Sequence, residues 1–169
     1  MRRGRHGDGG QVSTGVKFAG GVRRLQTLPK VLIVEDDPAI RGLLVAAMRR
    51  EPLSVDSVAD GVEALERVRD TNYAVIITDL MLPRLDGASF IDAFIRLRPD
   101  AQSVIFVMTA FDETPLVRKL GDSVHALVRK PFDVEKLVET IRECALLRQE
   151  YEPGVIDPEP PPSFSSGVC

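Results

Sequence analysis

Three short, uncharged runs limit the folds open to this chain: Val31-Leu32-Ile33-Val34, Ala74-Val75-Ile76-Ile77-Thr78 and Val104-Ile105-Phe106-Val107-Met108. Each is too short for a buried helix. Rich in β-branched residues and bounded by turn signals, they read as strands covered on both faces, the environment of a parallel sheet. Leu53 to Val58 alternates apolar with polar residues, the pattern of an edge strand, and Ala126-Leu127-Val128 supplies a fifth strand. The segments between them have helical spacing. Ile40, Leu43, Leu44, Ala47 and Met48 mark a helix running to about Arg50, and Ala64, Leu65 and Val68 mark one ending near Asp70. Gly87 to Leu97 carries Phe90, Ile91, Phe94, Ile95 and Leu97, and a short helix opens at Asp112 and Pro115. A last helix from Asp133 has Val134, Leu137, Val138, Ile141, Cys144, Ala145 and Leu147 on its inner face. Strand and helix therefore alternate five times. That order predicts an α/β fold, a doubly wound five-stranded parallel sheet joined by right-handed crossovers.

The strands end in reactive groups. Val34 runs into Glu35-Asp36-Asp37, Thr78 into Asp79, Met108 into Thr109, and Val128 into Arg129-Lys130. One aspartate at one strand end would ordinarily open a turn or cap a helix, and Asp37, just before Pro38, is read as such a cap. Open parallel sheets bind ligands beyond the carboxyl ends of their strands. If the first, third, fourth and fifth strands are neighbours, Glu35, Asp36, Asp79, Thr109 and Lys130 share one rim. Crowded carboxylates repel unless a hard cation joins them, and Mg²⁺ takes a few oxygen ligands while keeping waters for a phosphoryl group. A carboxylate oxygen can attack phosphorus to give an acyl phosphate. An ammonium, a hydroxyl and a metal then stabilise charge on the transferred oxygens.

Four motifs in order, VLIVEDD (Val31–Asp37), ITDLMLPRLDG (Ile77–Gly87), VMTA (Val107–Ala110) and RKPF (Arg129–Phe132), closely resemble the receiver domain of two-component response regulators. The resemblance spans residues 30–150. It implies a flavodoxin-like sheet with strand order 2-1-3-4-5 and a Mg²⁺ cofactor. It also implies Asp79 as phosphoacceptor, Asp36 as direct metal ligand, Glu35 as a ligand through water and the Met81 backbone carbonyl as a further ligand. Thr109 and Lys130 would contact the phosphoryl oxygens, and a cis bond would join Lys130 to Pro131. The implied partners are a sensor histidine kinase or a histidine phosphotransfer protein, and a downstream protein target. Such a chain catalyses only its own phosphorylation and dephosphorylation.

Some positions depart from the family pattern. Leu127 stands where many members carry Tyr or Phe, and the connection from Gly121 to Lys130 is longer than usual. Both features sit on the presumed signalling face and leave a phosphorylation-independent binding module as the alternative reading. Met81 and Phe111, two residues past Asp79 and Thr109, are apolar and cannot orient a hydrolytic water, which predicts a slowly hydrolysed phosphoryl group. A haloacid-dehalogenase-type phosphatase is disfavoured, because its second aspartate would fall at Met81.

Composition sets the remaining bounds. Among 169 residues, 44% hydrophobic, no apolar run approaches a membrane span, and two cysteines give no metal or disulfide framework. A cytoplasmic protein without membrane association is the expectation. The net charge of -3 hides a +6 segment over residues 1–30. Residues 1–29 read as a disordered Gly-rich basic extension and 151–169 as a Pro- and Ser-rich disordered tail. Neither offers a recognition helix. The expectation is a stand-alone regulator acting through protein contacts, without specific nucleic-acid binding.

Overall fold

The apolar runs pair into one parallel sheet. Its strands are β1 (Lys30–Val34), β2 (Ser54–Val58), β3 (Val75–Asp79), β4 (Val104–Thr109) and β5 (Ala126–Arg129), ordered β2-β1-β3-β4-β5. This is the expected order. The computed structural model describes residues 27–110 and 121–150. The expected helix at 112–120, Phe111, the tail from 151 and most of the N-terminal extension lie outside the described residues.

Side chains alternate across the strands and so build two cores. Leu32, Val34, Ile76, Ile105 and Val107 face α2 (Gly61–Asp70) and α3 (Gly87–Leu97), meeting Ala64, Val68, Phe90, Ile91 and Phe94. Val31, Ile33, Ile77, Phe106 and Met108 face α1 (Pro38–Met48) and α4 (Val134–Glu150), meeting Leu44, Met48, Leu137, Val138, Ile141 and Ala145. Both faces of β1, β3 and β4 are thereby dry, which is why their sequences are continuously apolar. Among the described residues, no helix is long and apolar enough to cross a membrane.

Local signals set the helix starts. Asp37 Oδ1 accepts from the Ala39 and Ile40 amides at 2.7 and 3.1 Å, with Pro38 in the first turn, so its expected capping role holds. Asp60 caps α2 through the Val62 and Glu63 amides, and Glu63 reaches back to the Ala59 amide. Asp86 caps α3 through Ser89, and Asp133 accepts from the amides of Glu135 and Lys136. Three leucines expected inside are exposed instead: Leu43, Leu97 and Leu147. A buried helical stripe is only about 100° wide. Leu43 and Leu97 fall on its flank, and the 17-residue α4 outruns strands of 4 to 6 residues.

Strand β2 lies at the sheet edge with one half-open face, as its alternation predicts. Its Asp56 accepts a 2.9 Å hydrogen bond from the Tyr73 hydroxyl. Burial first, and then the Asp56 carboxylate, push the Tyr73 phenol up to about 12. The unfolded chain therefore releases this proton near pH 10.0 and the folded one only near 12. The contribution of Tyr73 is full below pH 10 and is lost as pH rises through 12. In urea unfolding, the stability difference between the native chain and Tyr73→Phe should be flat below pH 10 and shrink above it. A difference unchanged to pH 12 would contradict this placement.

Candidate functional site

At the carboxyl edge of the sheet, β1 gives way to Glu35 and Asp36, β3 ends on Asp79, β4 ends on Thr109, and Lys130 follows β5. Glu35 is fully buried, Asp79 and Thr109 are buried, and Asp36 is exposed. The carboxylates of Glu35, Asp36 and Asp79 offer oxygens lying within 4.8 Å of one another. Lys130 Nζ reaches into this group, 2.8 Å from Glu35 Oε2 and 2.5 Å from Asp79 Oδ2. The ladder fixes that reach. The Lys130 amide donates to the Thr109 carbonyl at 2.8 Å, and the Lys130–Pro131 bond is cis, as the motif predicts.

The titration of the groups follows from this packing. Burial pushes the Glu35 carboxyl up against the opposing pull of Lys130. For Lys130, burial favours loss of the proton, but the hydrogen bonds and charges of Asp79 and Glu35 outweigh it and hold the ammonium above its ordinary range. Among the described residues one ammonium pairs with two of the three carboxylates, so the cluster keeps an excess of negative charge. An all-oxygen donor set of this kind fits a hard divalent cation such as Mg²⁺.

The loop after β3 is held where side chains cannot fit. A Cβ on Gly87 would lie 2.0 Å from the Asp79 carbonyl, and one on Gly61 would lie 2.3 Å from the Leu85 carbonyl. Arg84, at φ 64°, bonds the buried Asp60 that caps α2. This fastening sets the Met81 amide, which donates to Asp79 Oδ1 at 3.0 Å. The Met81 side chain is 67% exposed.

The structure thus brings Glu35, Asp36, Asp79 and Lys130 into mutual reach, with Thr109 on the same rim and Met81 bonded to Asp79 through its backbone. Leu127 points outward from β5, 45% exposed. Two fastenings escaped the sequence reading. Arg41 binds the backbone of the acidic turn, and Arg84 pairs with Asp60 across 24 residues. Arg41 stands four residues past the capping Asp37, a spacing that places it over the start of its helix, whereas a tertiary pair such as Asp60 and Arg84 has no local signature.

A five-stranded parallel sheet with an acidic, lysine-bearing rim defines a CheY-like receiver architecture. The chain belongs to the response regulator receiver domain family, whose model matches residues 31–142. It is 36% identical over 132 residues to the transcriptional regulatory protein SrrA of Staphylococcus aureus, a match covering 78% of this chain and 53% of that protein. The chain therefore spans about half the length of the curated relatives it matches. Among solved structures it resembles the chemotaxis response regulator CheY4 of Vibrio cholerae, with TM-score 0.60 and 27% identity over 70% of this chain and 99% of the other. A Francisella response regulator receiver domain gives TM-score 0.63 and 27% identity over 70% and 98%.

The excess negative charge has a thermodynamic consequence. Neutralising the exposed carboxylate by Asp36→Asn should remove a like charge from the cluster and stabilise the metal-free chain by a few tenths of a kcal/mol, about 0.5 at most for a group this exposed. Urea unfolding in a chelating buffer measures this. A destabilised variant would mean that the three carboxylates are held together by compensating contacts rather than crowded against their charge.

Proposed function

We propose that the chain is a phosphorylation-dependent signalling switch that accepts a phosphoryl group on Asp79. The reading is carried by one observation. A buried strand-end carboxylate lies in hydrogen-bond contact with a lysine ammonium and shares its cluster with two further carboxylates. A sensor histidine kinase or a histidine phosphotransfer protein is the proposed donor. An Asp79 carboxylate oxygen attacks phosphorus, the phosphorus–nitrogen bond of the phosphohistidine breaks, and the departing imidazole takes up a proton. Lys130 stabilises charge on the transferred oxygens and Thr109 donates its hydroxyl to one of them. Asp36, Asp79, the Met81 carbonyl and, through water, Glu35 are the proposed holders of Mg²⁺. Bound there, the ion would neutralise the carboxylates and the charge developing on the phosphoryl oxygens.

The proposed domain limits are residues 30–150, and the proposed setting is the cytoplasm. The output is assigned to protein contact. Leu127, already outward on β5, cannot make an aromatic inward turn, so coupling from Thr109 to that surface follows another route or is absent. An absent route is the phosphorylation-independent module. The exposed Met81 beside Asp79 has no group to orient a hydrolytic water, which supports a long-lived phosphoryl group.

Intact mass spectrometry of the chain incubated with Mg²⁺ and acetyl phosphate tests the switch. The expected result is a gain of one phosphoryl group, absent in Asp79→Ala and decaying over minutes or longer after the donor is removed. Decay within seconds, unaffected by Met81→Asn, would remove the argument about water orientation. No gain at all would turn the reading to the phosphorylation-independent module.

A further inference from the structure

Asp36 is the exposed member of the acidic group, and its carboxylate makes no hydrogen bond or ion pair among the described residues. Glu35 is fastened at both oxygens, Oε2 to Lys130 and Oε1 to the Asp37 amide at 3.3 Å. Asp79 is fastened likewise, by Lys130 and by the Met81 amide. The aim of Asp36 must then come from its backbone. Arg41, on α1, supplies that control. Its Nη1 donates to the Glu35 carbonyl at 2.6 Å and to the Asp36 carbonyl at 3.0 Å. Those two carbonyls belong to the peptide planes on either side of the Asp36 Cα. Two planar peptides tied to one rigid guanidinium leave that Cα little freedom in φ and ψ.

Other contacts close the turn. The Arg41 amide donates to the Asp37 carbonyl at 2.9 Å, and Asp37 caps the same helix. The last β1 register pairs are Val34 with Val58 and Val34 with Thr78. Beyond the Glu35 amide, which donates to the Val58 carbonyl at 3.2 Å, the turn leaves the sheet. Arg41 takes over where the sheet stops.

We infer that Arg41 is a positioning residue for the proposed metal site, fixing both peptides that flank Asp36 so that its carboxylate stays aimed at the Asp79 carboxylate. The inference rests on the reading of Asp36 as a metal ligand. Outer partners that orient ligands typically change metal affinity by about 10- to 100-fold when removed. A half-buried cation near the site also repels a divalent ion, but this guanidinium is turned onto two carbonyl oxygens whose dipoles oppose its field. Orientation therefore outweighs charge, and loss of Arg41 weakens binding.

Isothermal titration calorimetry of the full chain with Mg²⁺, beside thermal melts in chelator, tests this. Arg41→Ala should bind Mg²⁺ about 10-fold more weakly. Arg41→Lys, whose ammonium can still donate to these carbonyls but lacks the planar guanidinium frame, should recover part of the loss. It also serves if the alanine variant fails to fold. A lower melting temperature with unchanged Mg²⁺ affinity would make Arg41 only a brace for α1, and tighter binding would make its charge the dominant effect. Either result overturns the inference while leaving the metal reading intact. If the native chain shows no saturable binding, or Asp36→Asn leaves binding unchanged, the metal reading itself fails and the inference falls with it.

Discussion

The ion pairs from Lys130 to Glu35 and Asp79 tie the rim together. They join residues 95 and 51 positions apart, and they form only because β5 lies beside β4 and β1 beside β3. Charges this deep are costly to bury. Their mutual attraction offsets that cost only with good geometry, and removing one partner of such a pair typically costs about 3–5 kcal/mol. One ammonium does not balance three carboxylates, so the folded site keeps a residual field. That field favours further positive charge at the rim and holds the lysine where negative oxygens would arrive. The dry cores on both faces of the sheet give the strands the rigidity to maintain this arrangement.

The loop after β3 is the second constraint. Gly87 packs against the Asp79 carbonyl and Gly61 against the Leu85 carbonyl, at distances no Cβ tolerates. Arg84 fastens the same loop to Asp60 at the start of α2. Desolvation raises the Asp60 carboxyl, but the Arg84 guanidinium and the α2 amides outweigh it and hold it below the usual carboxylate range. A short segment carrying the Met81 amide is thus pinned to two helices and a strand. Arg41 does the equivalent for the β1–α1 turn, so two arginines hold the backbones on either side of the carboxylate cluster.

Much of this was legible because the decisive signals are local. Continuous apolar runs such as Val104 to Met108 state burial on two faces, and the side chains of Asp37, Asp60, Asp86 and Asp133 cap helix starts by accepting from amides only two or three residues further on. The gathering of Glu35, Asp36, Asp79 and Lys130 at one rim was legible because parallel strands deliver their ends to one edge. What escaped depends on tertiary placement. Leu43, Leu97 and Leu147 are apolar at helical spacing yet exposed, since spacing fixes a face but not how far the sheet beneath it extends. Arg41 and Arg84 bind carbonyls and a carboxylate that only the folded chain brings to them.

The most direct test of the account is chemical mapping of the modified residue. The chain is phosphorylated from acetyl phosphate with Mg²⁺, reduced with borohydride, digested, and its peptides sequenced by mass spectrometry. An acyl phosphate on Asp79 would be converted to homoserine at that position, and the conversion should disappear in Lys130→Ala if the ammonium supports the transfer. Homoserine at another aspartate, or a phosphoryl group resistant to borohydride, would contradict the assignment of Asp79 as the acceptor.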